Sequence, residues 1–209
     1  MRPEKTDKLL NRKERERLAR RKEILNSALR LFSQKGYHQT SMSEIARASE
    51  FSIGSLYNFF KSKEELFFVL FKEEIEEIER RVQTEIAKKG SVKEKLTALL
   101  ETLFSYFEEH WEAFVVLALN RQSFEAGLKD NLFQIVHLKH LQFVKTMKEI
   151  IEQGIKEREL KELKPEEMAS ALIGLVNGSI FLWLESGRSY SLKERIPELL
   201  EIFYRGVEK

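Results

Sequence analysis

The chain has 209 residues, 42% of them hydrophobic, and no cysteine, so it can bury one large or two modest cores and carries no disulfide framework. Its net charge of +2 hides an asymmetry: residues 1–63 hold 15 Lys and Arg against 7 Asp and Glu, whereas residues 64–209 hold 21 against 27. A basic end joined to an acidic remainder is the footprint of a DNA-binding domain tethered to one that does not touch DNA. The start has no charged region running into an apolar stretch, so no secretory signal is expected and a cytoplasmic location fits.

Residues 1–16 lack apolar periodicity and carry Arg2, Lys5, Lys8, Arg12, Lys13 and Arg15. They read as a basic arm or a frayed helical extension, either a solvated tail or a source of phosphate contacts. A first helix is expected from about Arg17 to Gln34, with Ile24, Leu25, Ala28, Leu31 and Phe32 at helical spacing and Gly36 as its stop. Ser41 with Glu44 then forms a capping box before a short helix holding Ile45, Ala46 and Ala48. After the turn Glu50-Phe51-Ser52 a second short helix carries Ile53 to Asn58, and Ser62 with Glu65 caps a long helix reaching about Lys89, roughly 42 Å at 1.5 Å per residue. Two short helices joined by a tight turn and followed by a strut form a helix-turn-helix pattern.

Gly90 ends the strut, and a third capping box, Ser91 with Glu94, opens a helix to about Glu109. A break near His110 separates it from one at Trp111–Ser123, and another helix spans about Asp130–Glu157. Pro165 followed by Glu166 and Glu167 starts a helix to Glu185. Within it, the apolar stretch Met168–Leu184 is short and polar for a bilayer span and reads as a buried helix, so no membrane partner is expected. A last helix runs from Leu192 or Pro197 to Val207. No strand pattern is convincing, and the fold class is all-α with about nine helices: a DNA-binding domain at 17–63 and a larger helical domain at 64–209.

Thr40, Ile45, Ala46, Ser52, Gly54, Ser55, Tyr57, Phe60, Lys61, Ser62, Lys63 and Leu66 stand in a register that resembles the DNA-reading segment of the TetR family of one-component transcriptional regulators. The resemblance in motif covers roughly residues 20–66. The sequence departs from the family at Glu50, where a turn glycine is usual and serves a positive φ, and at Phe51, where Val is usual. The resemblance implies a homodimer paired through the last two helices, about 165–207, with intramolecular packing as the alternative. It also implies a palindromic double-stranded operator and a small-molecule effector, held in the second domain, whose binding shifts the strut and separates the two readers.

Thr40, Tyr57, Lys61 and Lys63 are candidates for phosphate contacts, the two lysines flanking a helix start where free backbone N–H groups attract anions. Ser52, Ile53, Ser55 and Asn58 are candidates for base edges, Asn58 toward adenine and Ile53 toward a thymine methyl, with Gly54 allowing close approach. Ser52 is also readable as only a helix cap and Tyr57 as only a packing aromatic. The candidate effector wall is aromatic, with Phe107, Trp111, Phe133 and Phe181 foremost and His110, Asn120, Arg121, His137 and Asn177 as polar groups that would orient a ligand. Such a lining suits an apolar or aromatic effector, such as a long acyl chain or a lipophilic toxic compound, although an ordinary helical core has the same composition. His137 and His140 lack a partner with metal-ligand spacing, so no metal is expected, and no cofactor or catalytic motif is present. The rival to a ligand-responsive repressor is a constitutive DNA-binding or architectural protein without effector.

Overall fold

The computed structural model describes residues 11–120 and 126–207, and within them the side chains other than those at 114, 117–120, 126–136, 139 and 140. The elements are α1 (Arg12–Lys35), α2 (Met42–Ala48), α3 (Ile53–Tyr57), α4 (Lys63–Ile86), α5 (Val92–Asn120), α6 (Ala126–Lys156), α7 (Pro165–Glu185), a 3-10 turn (Leu192–Arg195) and α8 (Ile196–Val207). The all-α expectation holds among the described residues, with eight helices and the short turn. The two helices expected on either side of His110 form one, α5, bent where His110 leaves helical geometry at φ −121°, ψ 19°. α1 begins five residues before the expected Arg17. Its cap is Asn11, whose side chain accepts the Glu14 N–H at 3.0 Å while the Glu14 carboxylate accepts the Asn11 N–H at 2.9 Å. The apolar period starts only at Ile24, so periodicity alone misses those first turns.

The chain divides into two compact units, one of residues 1–72 with 112–129 and the other of residues 73–111 with 130–209. In the first unit Ile24, Ala28 and Phe32 of α1 and Ile45 and Leu56 of α2 and α3 bury against Leu66, Phe67, Leu70 and Phe71 of α4. Aromatic edges interlock there: Phe67 lies 5.3 Å from Phe32, 4.9 Å from Tyr37 and 4.4 Å from Phe71, ring centre to ring centre. The first turns of α4 are thus part of this unit's core, and the unit runs on to Lys72.

In the second unit Leu96, Leu99, Leu100 and Phe104 of α5 pack with Met147 and Ile151 of α6, Leu172 and Val176 of α7, and Leu199 and Phe203 of α8. α6 needs a glycine at 154. A Cβ there would lie 2.7 Å from Leu160 Cδ1, 2.9 Å from its Cγ and 3.2 Å from Val92 Cγ1, and Leu160 is buried. Gly154→Ala is therefore expected to lower stability by about 1–2 kcal/mol, within the range for overpacking a filled core. Urea unfolding of the variant beside the parent measures this.

The last two helices each bury one face within the protomer. The apolar stripe of α8, Ile196, Leu199, Leu200, Phe203 and Val207, is buried inside its own protomer. α7 buries only one face, Met168, Ala169, Leu172, Ile173, Val176 and Trp183, although by length and composition alone it could cross a membrane. Its other face, with Ala171, Gly174, Asn177 and Gly178, is exposed, as are Phe181 at 60% and, on α8, Ile202 at 60%.

Candidate nucleic-acid interface and effector region

The reading element is assembled by hydroxyl and carboxylate caps. Ser41 and Glu44 close the expected capping box on α2: the Ser41 N–H donates to the Glu44 carboxylate at 2.9 Å and the Glu44 N–H donates to Ser41 Oγ at 3.3 Å. At its other end Ser49 Oγ donates to the Ile45 carbonyl at 2.7 Å, and the Phe51 N–H folds back to the Ala46 carbonyl at 2.8 Å. Between them Glu50 takes φ +60°, the left-handed geometry for which glycine is suited. The departure at this position leaves the turn intact and costs about 1–2 kcal/mol of backbone strain.

Ser52 caps α3, accepting the Ser55 N–H at 3.1 Å. Leu56 and Phe60, at 0% and 1% exposure, anchor the element from below, while Ser52, Ile53, Gly54, Tyr57 and Asn58 stand outward and Ser55 is half-buried beside Ser52, Oγ to Oγ 2.8 Å. Tyr57 is half exposed and so is not a core aromatic. A Cβ placed on Gly54 would meet nothing within 4 Å. Among the described residues no packing requires that glycine.

Two of the residues read as phosphate contacts have other work. Thr40 is 1% exposed, and its hydroxyl donates to the Gly36 carbonyl at 2.9 Å, tying the end of α1 to the start of α2. Lys63 donates from Nζ to the carbonyls of Tyr37 and Thr40, both at 2.9 Å, with the ammonium 4.3 Å from the centre of the Tyr37 ring. Burial lowers its pKa. A phosphate would have to break the Thr40 bond to recruit its hydroxyl, whereas the Lys63 ammonium has a third N–H beyond these two bonds. Lys61 is exposed, but its N–H donates to the Glu65 carboxylate at 2.6 Å and Ser62 Oγ accepts the Glu65 N–H at 3.1 Å, so α4 supplies part of its own anion.

Glu44 also meets the ammonium of Lys35 across the α1–α2 junction. That contact, then the N–H and hydroxyl of Ser41, hold its pKa down to about 2 from the usual 4.5. A carboxylate whose folded pKa is depressed stabilises above its unfolded pKa, and the contribution is lost as pH falls from about 4.5 to about 2. Glu44→Gln is therefore expected to melt below the parent at pH 7, with the difference closing as the pH is taken down to about 2. Melts at four or five pH values check it.

Comparison with known families matches residues 24–70 to "Bacterial regulatory proteins, tetR family" and residues 71–206 to "YsiA-like protein, C-terminal region". The chain belongs to the TetR family of transcriptional regulators. It is 25% identical over 186 residues to the fatty acid metabolism regulator protein of Bacillus subtilis strain 168, covering 88% of this chain and 94% of that one. Among solved structures it superposes on the regulator FadR from Bacillus subtilis in complex with stearoyl-CoA with a TM-score of 0.74 at 24% identity, over 87% of this chain and 96% of that one. The ketosteroid regulator KstR2 of Mycobacterium tuberculosis gives 0.69 at 22% identity, over 91% and 95%. At these identities the structural likeness bears on the fold.

The residues expected to form the effector wall of this TetR-family chain do not all converge. Phe107 and Trp111 are half-buried and pack on the core of the second unit. His110, between them at the kink, stacks on Tyr106 with ring centres 4.2 Å apart, and its Nδ1 lies 2.9 Å from Glu74 Oε2. Tyr106 donates to the same carboxylate oxygen at 2.7 Å, and burial together with this bond raises the phenol's pKa. The guanidinium of Arg188, itself at φ +63°, sits 3.6 Å above the Trp111 ring, a partner that periodicity could not reveal. His137 is exposed, and Asn177 and Phe181 lie on the outward face of α7, away from any interior wall. Arg121, with the side chains of Asn120 and Phe133, lies outside the described residues, as do residues 1–10 of the basic arm. A cleft of about 980 Å³ between α5 and α8 is lined by Thr97, Glu101, Ser105, Pro197, Leu200 and Tyr204 among others, and by none of the expected residues. Among the described residues no group of three or more His, Cys, Asp or Glu is placed to hold a metal.

Proposed function

We propose that the protein is a ligand-responsive repressor: a homodimer that binds a palindromic operator through two copies of α3 and is released by an apolar effector of the acyl-chain class. The exposed face of α3 carries this reading. It presents Ser52, Ile53, Tyr57 and Asn58 around a glycine that the fold itself does not need. Ser52, Ile53, Ser55 and Asn58 would read base edges, while Tyr57 and Lys61 would hold phosphates. The homodimer would pair through the exposed face of α7 with Phe181 and Ile202. The acyl class is supported by the fatty-acid regulator among the relatives and the stearoyl-CoA complex among the similar structures, together with the aromatic stretch Phe104–Trp111 of α5. Release follows if the effector binds the DNA-incompetent form more tightly, and the two ligands must then weaken each other equally.

The experiment is titration of the protein on a selected operator duplex with stearoyl-CoA and, separately, with coenzyme A alone. Release by the acyl thioester and not by coenzyme A is the expected result. Tight operator binding that no acyl-CoA of any chain length disturbs would favour the constitutive DNA-binding protein instead.

A further inference from the structure

The first three turns of α1 add nothing to the core. Ile24 is the first buried residue, and the twelve residues Arg12–Glu23 before it extend the helix by about 18 Å at 1.5 Å per residue. The only large apolar side chain among them, Leu18, is half exposed. A capped helix that is polar on all sides rests on i,i+4 pairs such as Arg12–Glu16 or has an external reason to persist. Its composition supplies one: Arg12, Lys13, Arg15, Arg17, Arg20, Arg21 and Lys22 stand against Glu14, Glu16 and Glu23. Glu14 is spent on the Asn11 cap, and Glu16 pairs with Arg12 at 2.8 Å.

The placement of these cations is specific. The Arg17 guanidinium lies 6.0 Å from the centre of the Phe59 ring and that of Arg21 lies 5.6 Å from Phe60. Phe59 and Phe60 directly follow the exposed pair Tyr57–Asn58. This flank of α1 is therefore fixed beside the C-terminal end of the reading helix. Lys13 and Arg20, four residues before and three after Arg17, lie along the same flank and are exposed. From Lys13 to Arg20 the helix advances about 10.5 Å, the length of roughly three phosphate steps at 3.4 Å of duplex axis per strand.

We infer that α1 from Arg12 to Glu23 is a second, sequence-independent DNA surface, a phosphate clamp that grips duplex backbone flanking the half-site read by α3. The inference rests on the DNA-binding reading above and adds to it a surface outside the helix-turn-helix. Lys13, Arg17 and Arg20 each neutralise one phosphate, and the contacts of Arg17 with Phe59 and of Arg21 with Phe60 hold the clamp in register with α3.

The test compares Lys13→Gln/Arg17→Gln/Arg20→Gln with a control of equal charge change on the second unit, Lys93→Gln/Lys164→Gln/Lys193→Gln, using full-length protein and a mixed-sequence duplex of about 30 base pairs. All six side chains are exposed, so both chains fold. The plot of log K against log salt is expected to flatten by roughly 5 per bound dimer in the first variant, about 0.9 for each of three phosphates lost by either protomer, and to keep the parent slope in the control. A parent slope in both variants, or equal flattening in both, overturns the clamp. A parent protein with no salt-dependent DNA binding overturns the clamp too, but does so by removing the DNA-binding reading beneath it.

Discussion

A chain carrying Gly174→Leu and Gly178→Leu is expected to sediment as a monomer at concentrations where the parent is a dimer, and to lose operator binding, while its protomer still folds and unfolds cooperatively. Both glycines lie on the exposed face of α7, four residues apart, and a Cβ at either meets nothing within 4 Å. Within one protomer the leucines are therefore harmless, and they remove a helix-interior cost of about 1 kcal/mol per glycine. Across a symmetric pairing they are not, because small residues mark where two helices approach closely. Each dimer would carry four overpacked sites at about 1–3 kcal/mol apiece, so at least about 4 kcal/mol, or roughly a thousandfold in the dissociation constant of the dimer. Half-sites one helical turn apart, about 34–36 Å, need both readers at once. Analytical ultracentrifugation reads the first effect and an operator titration the second. A stable variant dimer would move the pairing surface away from α7.

The second large effect separates stability from recognition at a single position. Gly54→Leu is expected to leave the protein at least as stable as the parent and to cut operator affinity by roughly a hundredfold, about 2.7 kcal/mol. Gly54 lies in α3 with open space where its side chain would be, so the substitution strains nothing in the free protein and gains helix propensity. The loss appears only when a duplex is pressed against the helix. A variant that melts higher and binds as well as the parent would show that α3 does not enter the groove by this face.

How much of this was legible in the sequence depends on whether the signal is local. The capping boxes at Ser41 and Ser91, the proline at the first position of α7 and the break at His110 are local, and each stands where the sequence placed it. Asn11 and Glu14 are local too, but a helix without apolar period gave no reason to look for a cap there. What the sequence does not show is tertiary. A hydroxyl or ammonium near a helix start has the composition of a phosphate contact whether or not a neighbouring carbonyl already claims it, and Thr40 and Lys63 are claimed by carbonyls of the 36–40 connection. Asn177 and Phe181 suit a pocket by residue type, but which side of α7 faces inward is settled by packing across the unit, and they are on the other side. Arg17 and Arg21 were legible only as charge, because their tie to Phe59 and Phe60 spans some forty residues of sequence.

The most direct measurement is selection of bound duplexes from a random-sequence library by the purified protein, followed by sequencing. Two inverted copies of one half-site, with centres one helical turn or a multiple of it apart, are the expected result, and a pool of Asn58→Ala should relax the readout at a single base pair of each half-site while keeping the spacing. Enrichment of a single unrepeated motif, or none above the starting library, would contradict a symmetric repressor reading its operator through α3.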